Sequence, residues 1–298
     1  MNENENEEKE NNNQNIEVKP IKEQKKIHGE FFVTIAIILL IFEAYLFLFI
    51  TITPFDLSAL IIDIFYLFIF AMVIWSYVIV IRTPAGSIPL YWGFYIGDDD
   101  EKRKRYCLIC NAFKPERSKH CSICNTCVLN MDHHCPWVNN CIGFFNRKYF
   151  MQFIFYLELL FIYHFIFTWI YLLPEFKIVV DTKKINYYGF ILVCINYIPV
   201  IIITILFGKF VLYHIKLVLT NSSTIESLDQ ENKDKYKRFC LTPKENFEQV
   251  FGRNKLYWLL PIINEQSKPV GDGLLWKVNN ETINMNNMND IPQNDNSN

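Results

Sequence analysis

The chain has 298 residues, with 29 Lys and Arg against 31 Asp and Glu and a net charge of -2. That balance gives no sign of the basic excess on which nucleic-acid binding depends, so no nucleic-acid partner is expected. Hydrophobic residues make up 51% of the chain, and they are clustered rather than spread.

Residues 1–30 are rich in Asn and Glu, too polar to bury a core, and are predicted to form a disordered tail. A polar stretch of this length before any apolar run argues against an N-terminal signal peptide. Phe31–Ile52 and Leu57–Ile81 are nearly unbroken apolar runs of 22 and 25 residues. Since about 20 such residues cross a hydrocarbon core of ~30 Å, residues 31–81 are predicted to form two antiparallel membrane helices joined by Thr53-Pro54-Phe55-Asp56. Residues 82–149 carry a cysteine cluster. Residues 150–212 hold two further spans, near Phe150–Leu173 and Tyr187–Leu212. Glu43, Asp63, Glu158 and His164 interrupt the spans and are read as hydrogen-bonding partners between helices. Residues 213–276 form a polar region with an amphipathic stretch at 246–262, predicted to lie at the membrane surface. Residues 277–298, rich in Asn, are expected to be disordered.

Lys and Arg fix the orientation. Residues 82–149 hold ten of them, the loop 53–56 none and the loop 174–186 three. The positive-inside rule therefore puts the cysteine cluster and both termini in the cytosol. The expected fold is an all-α integral membrane protein of four transmembrane helices, with a cytosolic cysteine-rich domain between the second and third. The cytosol keeps thiols reduced, which suits metal ligation and a free nucleophile but not disulfides.

The cluster reads Cys107-x2-Cys110-x9-His120-Cys121-x2-Cys124-x2-Cys127-x4-Asp132-His133-His134-Cys135-x5-Cys141. Zinc takes four thiolate or imidazole ligands tetrahedrally, and a C-x2-C turn lets both sulfurs face one ion. Seven Cys and three His offer ten ligands, and two closed sites need eight. Setting Cys135 and His133 aside leaves six Cys and two His, enough for two Cys3His sites. One thiol and one imidazole are then unspent, two residues apart and preceded by the acid Asp132. A thiol becomes a nucleophile when a neighbouring base raises its thiolate fraction, and a carboxylate can hold that base in the required tautomer. A purely structural pair of zinc knuckles, with the surplus thiol acting as a small buried hydrophobe, is the competing reading.

Residues 107–150 resemble the cysteine-rich domain of the Asp-His-His-Cys (DHHC) protein S-acyltransferases. The resemblance runs through Lys114-Pro115-x-Arg117, Pro136-Trp137-Val138-Asn139-Asn140-Cys141-Ile142-Gly143 and Asn146-x3-Phe150. It implies one structural zinc on Cys107, Cys110, His120 and Cys127 and a second on Cys121, Cys124, His134 and Cys141. It also implies that Cys135 accepts the acyl group, with His133 as its base and Asp132 orienting His133. The implied donor is a fatty acyl-CoA such as palmitoyl-CoA, and the implied acceptors are membrane-associated proteins bearing cytosolic cysteines. A tent of helices in the bilayer would hold the acyl chain, with Phe150 and Phe153 at its mouth. Ser223-Thr224-Ile225-Glu226 is similar to the family's Thr-Thr-x-Glu motif, which singles out Thr224 and Glu226. By the same resemblance Asn246 docks the C-terminal segment on the bundle. Thr83-Pro84-Ala85-Gly86 stands where the family usually has Asp-Pro-Gly, so this chain lacks that acid. The implied location is an endomembrane: Golgi, ER or plasma membrane. A zinc-dependent interaction module and an acyl-binding pseudoenzyme are the alternatives. Basic residues near the cluster, Arg103, Lys104, Arg105, Arg117 and Lys119, are candidates for attracting CoA phosphates.

Overall fold

The structure, a computed structural model, describes residues 27–51, 57–94, 105–182 and 187–279. The loop 53–56 and most of the two expected tails lie outside the described residues.

Four long helices form the bundle: α1 (Ile27–Thr51), α2 (Leu57–Arg82), α3 (Arg147–Thr182) and α4 (Tyr187–Leu219). Each contains a stretch long and apolar enough to cross a bilayer: Gly29–Leu48, Leu57–Arg82, Arg147–Ile170 and Tyr197–Leu219. The chain is thus an integral membrane protein whose cysteine-rich region lies between the second and third spans. Several boundaries differ from expectation. Helix α1 begins at Ile27, inside the predicted tail. Helix α3 starts at Arg147 rather than Phe150, and α4 runs past Leu212 to Leu219. The reason is common to all three: polar side chains near a helix end leave the membrane without leaving the helix, so hydropathy marks the span and not the helix.

Ile38, Ile41, Phe42, Phe65 and Phe68 stand exposed on the outside of the bundle, the surface a bilayer covers. Inside, Phe47 stacks on Tyr66 with ring centroids 4.0 Å apart, and Tyr163 donates a hydrogen bond to the Ile62 carbonyl at 2.9 Å. Glu43 Oε1 on α1 and His164 Nδ1 on α3 are 2.8 Å apart, so two of the interrupting polar residues pair with each other. Helix α3 packs against both α2 and α4.

The cysteine-rich region is three two-stranded antiparallel hairpins. Strands β1 (Tyr106–Cys107) and β2 (Ala112–Phe113) form the first, β3 (Lys119–Cys121) and β4 (Thr126–Val128) the second, and β5 (His133–Cys135) and β6 (Asn140–Ile142) the third. Strands of two or three residues cannot hold themselves together, so their geometry must be fixed by something else.

After α4 come three short helices, α5 (Thr224–Leu228), α6 (Lys233–Lys237) and α7 (Pro243–Phe251). Thr242 and Glu245 form a capping box at the start of α7, with Pro243 in the first turn. The amphipathic stretch 246–262 is therefore not one helix. Helix α7 ends at Phe251, and a short 3-10 turn follows at Lys255–Tyr257. Residues 277–279, assigned by sequence to the C-terminal tail, are tied to the fold: Lys277 pairs with Glu245 at 2.8 Å, and the Asn279 amide donates to the Arg238 carbonyl.

Candidate active site and zinc centres

Alternation along a strand does the sorting in this site. Successive side chains point to opposite faces, and directly opposed residues of a hairpin share a face. In the second hairpin His120 opposes Cys127. Cys121, one step along β3, faces the other way. In the third hairpin His134 opposes Cys141, which puts His133 and Cys135 together on the opposite face.

The ligands gather accordingly. Cys107, Cys110, His120 and Cys127 form one group and Cys121, Cys124, His134 and Cys141 another, with the ligand atoms of each within 4.8 Å of one another. Strand β3 thus supplies adjacent residues to two centres. Each knuckle turn is closed by an N–H···S contact, from the Cys110 amide to Cys107 at 3.5 Å and from the Cys124 amide to Cys121 at 3.4 Å. The residue after each knuckle, Asn111 and Asn125, takes the left-handed conformation that Asn tolerates. His120 Nδ1 lies 3.6, 3.2 and 3.8 Å from the Cys107, Cys110 and Cys127 sulfurs. His134 Nδ1 lies 3.8, 3.4 and 3.7 Å from those of Cys121, Cys124 and Cys141. A tetrahedron with arms of about 2.3 Å to sulfur and about 2.1 Å to nitrogen has edges of about 3.6 Å, so both groups fit a zinc ion. These are two Cys3His zinc-binding clusters.

Cys135 belongs to neither cluster. It is buried beside His133, whose Nδ1 lies 2.7 Å from Asp132 Oδ2. A carboxylate only accepts, so Nδ1 carries the hydrogen and Nε2 is left for the Cys135 thiol, with which His133 also interacts. Burial opposes charge on His133, but the hydrogen bond it donates to Asp132 and the one it shares with Cys135 outweigh it and lift the imidazole to about 9.

Asp132 is fully buried, and its remaining capacity is used. Oδ1 accepts from the Thr224 amide at 2.9 Å, and Oδ2 accepts from the Thr224 hydroxyl at 2.8 Å. The Arg147 guanidinium lies 3.5 Å from Oδ1. Burial alone would raise the carboxyl; Arg147 and the His133 bond override it and hold Asp132 well below the usual carboxylate range.

The loop after Cys135 ties the site to the membrane. The last carbonyls of a helix lack partners, and the Asn140 side-chain amide supplies one at the end of α2. It donates to Val80, Ile81 and Thr83 at 3.2, 3.3 and 2.9 Å. Tyr77 of α2 donates to the Trp137 carbonyl at 2.6 Å. Gly143 sits where a Cβ would lie 2.8 Å from the Leu129 carbonyl oxygen, which only glycine avoids. Asn146 closes the turn into α3, accepting from the Gly143 amide at 2.9 Å and donating to Cys141 and Thr83 carbonyls at 2.8 and 3.1 Å.

Phe150 and Phe153 are both buried in the apolar cluster that contains Cys135. The Phe150 ring is 5.2 Å from His133, and the Phe153 ring is 4.8 Å from Tyr77. Ser223 and Glu226 form a complete capping box for α5. Glu226 also receives Arg117 through two bonds of 2.7 Å. Arg117 is buried and engaged, so it is not free to bind phosphate, contrary to its inclusion among the basic candidates. Asn246 donates to the Leu219 carbonyl at 2.8 Å, joining α7 to the end of α4. Sequence reasoning missed Tyr77, Arg147 and His214, which come together around the site. Each was hidden inside or at the edge of an apolar run.

A sequence profile of the DHHC palmitoyltransferase family matches residues 100–231. Probable protein S-acyltransferase 14 of Arabidopsis thaliana is 35% identical over 241 residues, covering 71% of this chain and 75% of that protein. The chain belongs to the DHHC palmitoyltransferases. A further relative is Palmitoyltransferase PFA4 of Mycosarcoma maydis, 35% identical over 243 residues, 69% of this chain and 50% of that one. Palmitoyltransferase ZDHHC2 of Rattus norvegicus is 40% identical over 205 residues, 65% of this chain and 50% of the relative. The DHHC protein described here is accordingly an acyltransferase that palmitoylates proteins, with acyl-CoA as donor and two zinc centres in its cysteine-rich domain.

Proposed function

We propose that Cys135 carries the acyl group, His133 is its general base and Asp132 orients His133. The observation that supports this reading is the split of β5: His134 faces the second zinc cluster while His133 and Cys135 share the other face. His133 takes the Cys135 proton through Nε2. The thiolate attacks the thioester carbonyl of palmitoyl-CoA, a Cys135 thioester forms, and CoA leaves as a thiolate that recovers the proton. In the second step an acceptor cysteine passes its proton to His133 and attacks the Cys135 thioester. The acyl group moves to the acceptor, and Cys135 is regenerated as a thiol.

In this reading Cys107, Cys110, His120 and Cys127 hold one zinc and Cys121, Cys124, His134 and Cys141 the other. Both metals are structural, and bound they fix hairpins too short to hold their own register. The acyl chain lies between the membrane helices, gaining about 0.8 kcal/mol per buried methylene, with Phe150 and Phe153 at the entrance. Thr224 and Glu226 brace Asp132 and Arg117 from the C-terminal region, and Asn246 docks α7. The Lys and Arg excess of residues 82–149 supports a cytosolic site acting on membrane-associated proteins of the Golgi, ER or plasma membrane.

The test is incubation of the purified chain with labelled palmitoyl-CoA. Label on Cys135 that chases onto an acceptor thiol is the expected result. No label on Cys135 points to a zinc interaction module, and label that cannot be chased points to an acyl-binding pseudoenzyme.

A further inference from the structure

His214 lies near the end of α4 and has no part in the mechanism above. Its side chain is 2% exposed, and its Nδ1 is buried without a hydrogen-bond partner. Three rings converge on one another: His133 to Phe150 at 5.2 Å, Phe150 to His214 at 5.2 Å and His133 to His214 at 5.9 Å between centroids. Phe210, one turn earlier on α4, backs the His214 ring at 4.5 Å. The adjacent Tyr213 hydroxyl is hydrogen-bonded to Ser227 Oγ of α5 at 2.6 Å. Helix α5 is the element whose first residue, Thr224, holds Asp132. One turn of α4 therefore touches both the acid's support and the base's ring.

The hydrogen bond from Nδ1 to Asp132 anchors one edge of the His133 ring only. Rotation of an imidazole about its Cβ–Cγ bond is soft, so its plane needs a second constraint. Phe150 and His214, with centroids 5.2 Å apart, stand side by side and form one continuous wall against the ring. We propose that His214 is a positioning residue for acyl transfer: with Phe150 it confines the His133 imidazole so that Nε2 stays on the Cys135 thiol. This rests on the reading of His133 as the base. His214 meets His133 through its ring, and the contribution assigned to it is the shape of that ring.

The experiment uses the full-length protein in detergent micelles. It follows alkylation of Cys135 by iodoacetamide, read on the Cys135 peptide by mass spectrometry, and the first turnover with labelled palmitoyl-CoA. Alkylation reports how readily the thiol ionises and needs no acyl-CoA. His214→Ala is expected to slow both by about tenfold to hundredfold, as misplacement by about 1 Å does, while the KM for palmitoyl-CoA stays within about twofold. His214→Phe, which restores a planar ring, is expected to remain within about threefold of wild type. Unchanged rates in His214→Ala, a His214→Phe variant as slow as His214→Ala, or a loss confined to KM would each overturn the inference. If His214→Ala binds fewer than two zincs, His214→Leu, with volume but no planar ring, takes its place under the same expectations. His133→Ala separates the two levels. If it alkylates at the wild-type rate, the base assignment itself fails; if it is slow while the His214 variants are not, only the positioning role fails.

Discussion

Thr224 and Asp132 are 92 residues apart in the chain, yet Asp132 accepts from both the amide and the hydroxyl of Thr224. The first residue of α5 thereby completes the hydrogen bonding of a fully buried carboxylate. The amide bond belongs to the backbone and survives any side-chain change. Thr224→Val keeps shape and loses only the hydroxyl. A hydrogen bond to a charged group contributes about 1.5–3 kcal/mol, so acylation of Cys135 should fall by about tenfold to hundredfold. Zinc content should stay at two, and single-turnover rates with labelled palmitoyl-CoA would show whether it does so alone.

The two kinds of cysteine should separate cleanly. Cys135→Ser is expected to abolish labelling while two zincs remain bound, because Cys135 lies outside both ligand groups. Cys127→Ser removes a ligand from the first group and should lower the metal content and loosen the fold, since a structural zinc contributes folding free energy. Metal analysis beside a limited-proteolysis time course distinguishes the variants. Loss of zinc from Cys135→Ser would contradict the assignment.

Arg117 and Glu226 form a buried pair with 0% and 3% of their side chains exposed. Burial raises the Glu226 carboxyl, but Arg117 overrides it and leaves it lowered. A lowered folded-state value means that its stabilisation is complete above the unfolded value of about 4.3 and is lost as pH falls through the folded value. Breaking such a pair costs about 3–5 kcal/mol, because the surviving charge stays buried. Arg117→Ala should therefore lower the melting temperature sharply at pH 7. The gap between wild type and Glu226→Gln should narrow as the pH is lowered below 4.3, about the unfolded value. Melting curves of both proteins across that range provide the check.

Asn140 covers the open carbonyls at the end of α2. Asn140→Leu leaves them unpaired, at a cost of about 1–3 kcal/mol. The strand that pairs with Cys135 should loosen with it, and activity should fall along with stability. Hydrogen exchange over residues 133–142, read against the wild type, would reveal the loosening; unchanged protection there would refute the capping role.

The amino-acid sequence by itself determined the bundle, because membrane spans are local runs of apolar residues. It also determined the number of zinc centres, because ligand counting needs no coordinates. Its surplus of one thiol and one imidazole marked the chemical site beside Asp132. What it did not carry was the bracing of that site. Thr224, Arg147 and His214 reach Asp132 and His133 from other segments, and no local pattern announces such a contact. Arg117 looked like a free basic residue because charge in a sequence carries no burial. Its partner Glu226 is 109 residues away. The pairing of β5 with β6 was likewise invisible as a pattern, yet it decides which of two adjacent histidines faces the cysteine cluster and which lies beside Cys135. Composition and spacing are local properties of a chain. The direction a side chain faces is set by strand register, and register exists only once the hairpins have closed.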